Sequence, residues 1–348
     1  MTGIALLGAG IFATTGRSSP NLSLKAVYSR SQQSAEALAA ASKDASSVSI
    51  YFDSPTVEGK SLDDLLRRDD IAAVVIALPI INQPIVVEKA LKAGKHVLSE
   101  KPIADDVKGA QNLLALYDEL GDSKPIWAVA ENFRYLESLR YAAERVRGIG
   151  GMLATFRLQR NGFVWPDNKY LHTEWRKTPA HQGGFLLDGG VHFVAALRFL
   201  LDAAGQEIKQ LSGFSALLDE KLPPVDTVHA VALTQDRKNG TIGISFGTEF
   251  KSGLEVEIVT TNGAVVWSPT EVKTVARNAG GGDGKVEERK QFPQDSGVQA
   301  EVVAFSRAIE AGRADALQAP LEALKDLEIL QRLLESGAQG GTAMTIDL

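Results

Sequence analysis

The feature that most constrains the fold is a regular alternation of apolar runs and helix-like patterns through the first 130 residues. Short apolar runs alternate here with segments of helical periodicity, such as residues 34–41 and 107–117. The apolar runs cover residues 4–7, 24–28, 72–78, 96–100 and 126–130. This order is typical of a doubly wound parallel sheet covered by helices. We therefore predict an α/β domain over residues 1–130 and a second domain over residues 131–348.

A glycine turn follows the first apolar run. The segment Gly8-Ala9-Gly10-Ile11-Phe12-Ala13 fits the pattern G-x-G-x-x-A. The first glycine of such a turn permits the tight bend, and the second allows the backbone to approach a pyrophosphate at the start of the next helix. Because the pattern lies between two predicted strands, it predicts dinucleotide binding.

The end of the second apolar run bears on which dinucleotide is bound. NAD sites usually place an acidic residue there to bind the ribose hydroxyls. This chain has Tyr28-Ser29-Arg30-Ser31 instead, so Arg30 and the neighbouring hydroxyls are suited to a 2′-phosphate. We therefore predict NADP(H), although Arg30 could also be an ordinary surface arginine.

The composition argues against several other classes of function. The net charge of −6 argues against nucleic-acid binding, and the absence of cysteine excludes thiolate chemistry and disulfides. We find no apolar run approaching the ~20 residues of a membrane span, so we expect a cytoplasmic protein with no membrane partner.

Glu100-Lys101-Pro102 ends the fourth apolar run. Proline cannot continue a strand ladder, so Lys101 would lie at the carboxyl edge of the sheet, where such folds bind ligands. There a lysine can donate a proton or orient a carbonyl. Taken alone, Lys101 is more readily explained as a solvated residue at a strand end, and it is the rest of the chain that favours the functional interpretation.

The second half combines strand patterns with an aromatic segment. Residues 151–160 alternate, with Met152, Ala154, Phe156 and Leu158 on one face. Further strand patterns predict an antiparallel meander, with Asn239-Gly240 and Asn262-Gly263 as hairpin signals. These patterns cover residues 208–217, 227–233, 240–246 and 253–260. Residues 278–290 are predicted to form a flexible charged loop, and residues 194–201, 299–310 and 321–334 amphipathic helices.

Asp188 and His192 lie four residues apart, so they share one face of a helix. This spacing could hold a metal, but no third ligand follows at a recognisable spacing, and we predict no metal site. A histidine of this kind could instead be a satisfied core residue. The rings of Phe163, Trp165 and Tyr170 are expected to contact substrate or to fill the seam between domains.

Several segments together resemble the Gfo/Idh/MocA family of oxidoreductases, in order and spacing along nearly the whole chain, and more closely a fungal NADP-dependent subgroup. They are Gly8-Ala9-Gly10, Val75-Ile76-Ala77-Leu78-Pro79, Ala93-Gly94-Lys95-His96-Val97-Leu98-Ser99-Glu100-Lys101-Pro102, Glu131-Asn132-Phe133-Arg134, Trp175-Arg176 and Gly183-Gly184-Phe185-Leu186-Leu187-Asp188-Gly189-Gly190-Val191-His192. The resemblance implies a Rossmann domain followed by an α+β domain with a large, mostly antiparallel sheet, and C-terminal helices that pack back on the first domain.

The resemblance also implies residue roles. Lys101, Asp188 and His192 match the catalytic positions of the family. The residues expected to bind the cofactor are Gly8, Gly10, Ile11, Phe12, Ser29, Arg30, Leu78, Pro79, Asn82, Glu100, Lys101, Asn132, Trp175 and Arg176. The chain departs from the family at Asn82, where a histidine is usual, and at Ala195, where an aspartate is frequent.

The implied activity is NADP(H)-dependent hydride transfer between the nicotinamide and a carbonyl or secondary alcohol of a sugar-like or other small substrate. Two alternatives remain open: a dinucleotide-sensing regulatory protein of the same fold, or an NAD-dependent sugar-processing enzyme. A homodimer through the second-domain sheet is also expected.

Overall fold

The computed structural model describes residues 1–8, 21–42, 45–168, 171, 173, 179, 181–277 and 284–348. The chain forms two compact units, one of residues 1–131 and 298–324, the other of residues 132–297 and 325–348. Of the predicted site residues, Gly10, Ile11, Phe12, Tyr170, Trp175 and Arg176 lie outside the described residues.

A parallel sheet forms the centre of the first unit. In the described residues it has six strands in the order β3-β2-β1-β4-β5-β6. The strands are β1 (Thr2–Leu7), β2 (Leu22–Ser29), β3 (Ser49–Phe52), β4 (Ala73–Ile76), β5 (His96–Glu100) and β6 (Trp127–Ala130). All the pairings are parallel, which confirms the predicted doubly wound fold.

Helices connect these strands. They are α1 (Gln32–Ala40), α2 (Leu62–Leu66), α3 (Gln83–Lys92) and α4 (Val107–Glu119). Helix α2 begins with a capping box between Ser61 and Asp64, which satisfies backbone N–H groups at its first turn. Helix α7 (Val298–Ala311) returns to this unit, where Val298, Val302 and Phe305 pack with core residues of the sheet such as Leu98 and Ala128.

The second unit contains a larger sheet. In the described residues its strand order is β14-β13-β12-β11-β7-β10-β9-β8-β15, and all pairings are antiparallel except that of β7 with β10. The strands are β7 (Leu153–Asn161), β8 (Ile208–Ala216), β9 (Thr227–Thr234), β10 (Asn239–Ser245), β11 (Gly253–Thr260), β12 (Gly263–Ser268), β13 (Glu271–Arg277), β14 (Lys285–Gln291) and β15 (Met344–Thr345). The prediction of a mostly antiparallel sheet is confirmed.

Three helices complete the element order. They are α5 (Glu137–Ile149), α6 (Gly184–Ala203) and α8 (Pro320–Ala338). Among the described residues, α6 alone has the length and composition of a bilayer-spanning helix, but 78% of its most apolar window is buried within the protein. One expectation was wrong here, because residues 194–201 are buried on most sides instead of amphipathic.

The structure corrects three other strand predictions. A bulge where Thr260 pairs with Leu153 turns Leu153 inward, so Met152 and Ala154 are exposed. Residues 285–291 form the edge strand β14 and not a loop, because β13 provides a backbone partner for a fully exposed, charged segment. Asn239-Gly240 begins β10, and the preceding turn contains Arg237 at a φ of 58°.

Candidate functional site

The carboxyl ends of the parallel strands gather most of the cofactor residues predicted in the first unit. Gly8 follows β1, Ser29 ends β2 and Arg30 follows it, and Lys101 follows β5. Leu78, Pro79 and Asn82 lie in the connection from β4 to α3, and Glu100 is the last residue of β5. Because the strands are parallel, all of these positions belong to one edge of the sheet.

Gly8 lies close to the neighbouring backbone at this edge. Its φ is 100°, and a Cβ atom here would lie 2.3 Å from the carbonyl oxygen of Ala77. Its N–H donates a hydrogen bond to the carbonyl oxygen of Tyr28 at 2.8 Å, which ties the ends of β1 and β2 together. No other residue type fits this turn without displacing the backbone.

The end of β2 lies beside one carboxylate. Asp53 follows β3, and its Oδ1 accepts a hydrogen bond from the Tyr28 hydroxyl at 2.8 Å. Burial, with a further contribution from Asp53, raises the pKa of Tyr28 well above its usual range. The Tyr28 hydroxyl therefore stays protonated and engages Asp53, while Arg30 is exposed.

Lys101 is held by a residue that the sequence did not single out. The buried amide of Gln83, at the start of α3, donates hydrogen bonds from Nε2 to the carbonyl oxygens of Glu100 and Pro102 at 2.5 and 3.0 Å. These carbonyls flank Lys101, so Gln83 fixes the backbone on both sides of the predicted catalytic lysine. Asn82, a position where the resemblance implies a histidine, precedes α3 and makes no side-chain cap.

In the second unit, Asp188 and His192 lie on α6 as predicted. Asp188 is buried and His192 is half-buried. The ring of Phe133 stacks on the imidazole of His192, with 4.9 Å between centroids and an interplanar angle of 16°. Phe133 also contacts Phe193 edge to face at 6.0 Å. The face of His192 that lies against Phe133 is therefore fixed by packing.

A buried carboxylate secures the two segments that hold this ring pair. Asp326 on α8 accepts a hydrogen bond from Arg134 at 2.6 Å and another from Arg198 at 2.5 Å. Arg134 follows Phe133 directly, and Arg198 lies further along α6 from His192. Asp326 thus links the backbone beside Phe133 to the helix that carries His192.

The remaining predicted residues have defined neighbours in the second unit. Phe163 contacts Trp165 edge to face at 5.0 Å, and Lys221 lies 5.0 Å from the centre of the Phe163 ring. Trp165 is 56% exposed. The side-chain amide of Asn132 donates a hydrogen bond to the Ser296 carbonyl oxygen. In the described part of the chain, no group of three or more metal-ligating side chains comes together.

Comparison with known proteins identifies the family. The profile of the oxidoreductase family with an NAD-binding Rossmann fold matches residues 2–123, and the profile of its C-terminal α/β domain matches residues 147–346. The chain therefore belongs to the Gfo/Idh/MocA family of oxidoreductases.

The relatives include dehydrogenases. Dehydrogenase FPY6 of Fusarium mangiferae is 53% identical over 98% of both chains. D-xylose 1-dehydrogenase (NADP(+)) 2 of Haloferax volcanii is 28% identical over 97% of this chain and 99% of its own. The crystal structure of an oxidoreductase from Thermotoga maritima has a TM-score of 0.82 and 28% identity, over 99% of this chain and 98% of that one.

Proposed function

We propose that this protein transfers hydride between NADP(H) and a carbonyl or secondary alcohol of a small, sugar-like or other carbonyl substrate. The observation that carries the proposal is the shared carboxyl edge of the parallel sheet, where Gly8, Arg30 and Lys101 all lie. We propose residues 1–130 as the NADP-binding domain and residues 131–348 as the substrate domain.

The residues at this edge fit a dinucleotide. Gly8 leaves no room for a side chain where the backbone turns, as a pyrophosphate site requires. Arg30 is exposed at the end of β2 and can pair with a 2′-phosphate, whereas the nearby Asp53 is engaged by Tyr28. The named NADP preference of the Haloferax relative also supports this choice.

We propose that the cofactor is held by the residues that the family resemblance implies. When bound, the cofactor supplies or accepts the hydride. The residues proposed to hold it are Gly8, Gly10, Ile11, Phe12, Ser29, Arg30, Leu78, Pro79, Asn82, Glu100, Lys101, Asn132, Trp175 and Arg176.

The catalytic roles fall to three side chains. Lys101 stabilises the negative charge that develops on the substrate oxygen, and His192 exchanges the proton, because imidazole can do so near neutral pH. Asp188 orients the imidazole or binds a substrate hydroxyl. Phe163, Trp165 and Tyr170 offer ring faces to the substrate, which we propose is a small carbonyl compound or polyol.

Assembly and location complete the proposal. Phe214 and Val231, 66% and 52% exposed, lie on the same face of the neighbouring strands β8 and β9. We propose that this face of the second sheet pairs two copies in a homodimer. A cytoplasmic location stays a prediction.

The direct test is an enzyme assay with the purified full chain. NADPH oxidation is followed with a panel of aldoses, ketoses and aromatic carbonyls, and NADP⁺ reduction with the matching polyols. We expect saturable turnover with at least one pair. A protein that binds NADPH tightly and turns over no member of the panel in either direction would instead be a dinucleotide sensor.

A further inference from the structure

Strand β7 carries two arginines with opposite surroundings. Arg157 is on the outer face and forms ion pairs with Glu255 and with Glu257, the latter at 3.4 Å. Arg160, three residues on, lies on the opposite face, in line with the buried side chains of Phe156 and Leu158. The two guanidinium groups therefore differ in how their charge is compensated.

The groups around Arg160 are apolar. Its guanidinium carbon lies 5.5 Å from the ring centres of both Phe193 and Phe246. The residues that pair with it on the neighbouring strands are Ile244 and Leu254. Across the described ranges of the chain, no carboxylate or hydrogen-bond acceptor contacts this guanidinium, in contrast to that of Arg157.

Gly162 provides the space that the guanidinium occupies. A Cβ atom at this position would lie 2.3 Å from Nη1 and 2.6 Å from Nη2 of Arg160. The charged group is thus folded back over its own strand, beside the ring of Phe193. Phe193 follows His192 on α6, and Phe133 contacts the rings of both residues. Arg160 therefore lies in the ring cluster that surrounds His192.

A cation in such surroundings is costly unless an anion pairs with it. Removal from water lowers the pKa of Arg160, and within the described residues no carboxylate opposes this effect. Cation–π contacts offset part of the cost but supply no hydrogen-bond acceptor to the N–H donors of the guanidinium. The group that best satisfies this fork is a carboxylate or phosphate, which it can bind through two parallel hydrogen bonds.

We propose that Arg160 binds an anionic oxygen group, a carboxylate or phosphate, carried by the substrate. This inference rests on the proposed function, since it assigns the anion to the substrate of the same oxidoreductase. It predicts that the preferred substrates are acidic carbonyl or hydroxyl compounds, and that their neutral counterparts bind more weakly.

Malonate and inorganic phosphate serve as probes of the site. The unfolding midpoint of the full chain is measured against each anion, with sodium chloride at matched ionic strength as reference. We expect saturable stabilisation in the wild type and in Arg157→Gln. In Arg160→Gln the apparent affinity should fall by about 30-fold or more, as expected for the loss of a desolvated charge partner. Arg160→Lys, which keeps the charge and loses the fork, should be intermediate.

Two results would overturn the proposed anion site at Arg160. One is the absence of saturable stabilisation in the wild type beyond chloride, and the other is equal anion affinity in wild type and Arg160→Gln. Should Arg160→Gln fail to fold, Arg160→Lys provides the same comparison against Arg157→Gln.

An NADPH titration of the same proteins separates this inference from the proposed function. We expect Arg160→Gln to keep its NADPH affinity within about twofold. A selective loss of NADPH binding in that variant would assign the anion to a cofactor phosphate and overturn the substrate assignment. A third result is that no protein in the series binds NADPH, while stabilisation by malonate still depends on Arg160. The proposed function would then fail, but the anion site would stand.

Discussion

The two units position their candidate residues by different means. In the first unit, Gly8, Arg30 and Lys101 follow the ends of parallel strands, so the backbone topology alone brings them to one edge. In the second unit, His192 and Arg160 lie within a helix and a strand, and aromatic rings far away in sequence surround them. Strand-end sites can therefore be predicted from sequence patterns, whereas sites built by side-chain packing require the structure.

Lys101→Ala should have the largest effect and tests the strand-end site. We expect turnover to fall by about 100- to 10,000-fold, because the variant loses the group that we propose stabilises charge on the substrate oxygen. NADPH affinity, measured by nicotinamide fluorescence, should change much less. Lys92→Ala, which removes an exposed lysine paired with Glu88, is the matched control. Turnover unchanged by Lys101→Ala would exclude a catalytic lysine and favour a sensor.

Asp326→Asn tests the packed site of the second unit. The variant leaves the buried Arg134 and the partly buried Arg198 without their shared carboxylate. Breaking such a buried pair typically costs about 3–5 kcal/mol of unfolding free energy. Chemical denaturation should show this loss. Turnover should also fall, because the Phe133 and His192 rings are no longer held in their stacked arrangement.

Asp63→Asn provides the comparison for this variant. It breaks an ion pair with Lys89 in which both partners are exposed, and should cost less than about 1 kcal/mol. Equal losses in the two variants would contradict a role for burial at Asp326.

Gln83→Leu tests whether a strand-end lysine also needs side-chain support. Without the two hydrogen bonds from Nε2, the backbone around Lys101 can shift, and we expect kcat to fall by up to about 100-fold. KM should change less than kcat, and the stability loss should be about 1–3 kcal/mol. Gln32→Leu, which removes an exposed hydrogen bond to Glu36, is the control. A kcat equal to that of the wild type would show that topology alone positions Lys101.

The smallest expected effect is on the pH dependence of stability, and it concerns His96 at the start of β5. Burial lowers its pKa, and its Nδ1 accepts a hydrogen bond from the Ile126 N–H. The unfolded chain then binds more protons than the folded one below the ordinary histidine pKa of ~6.5. This contribution to stability is therefore present above pH ~6.5 and is lost as the pH falls toward the lowered value.

His96→Gln should reduce this loss of stability on acidification, measured as the change in unfolding midpoint between neutral and mildly acidic buffer. If the unfolding midpoint depended on pH equally in the wild type and in His96→Gln, the proposed contribution of His96 would be contradicted.

Most of the fold could be predicted because buried parallel strands leave continuous apolar runs. The strand β3 was missed, because its four residues are mostly half-buried and show no clear periodicity. The strand β14 was predicted as a loop, because all its residues are exposed and charge dominates its sequence. Edge strands of this kind are specified by the neighbouring strand and leave little pattern of their own.

The supporting residues of the site could not be predicted in the same way. Gln83 is 19 residues from Pro102, and Arg134 is 192 residues from Asp326. Arg160 lies in an ordinary alternating strand, and only the structure shows that its neighbours among the described residues are aromatic and aliphatic side chains. No local pattern encodes such contacts, so these residues were found only when the packing was known.

The most direct test of the central claim is a parallel titration of the wild type with NADPH and NADH, followed by nicotinamide fluorescence. We expect the wild type to bind NADPH more tightly than NADH. Arg30→Ala should weaken NADPH binding by about tenfold and leave NADH binding nearly unchanged. Equal affinity for both cofactors, or an Arg30→Ala variant that binds NADPH as well as the wild type does, would contradict the NADP(H) assignment. Binding of neither cofactor would contradict the dinucleotide site itself.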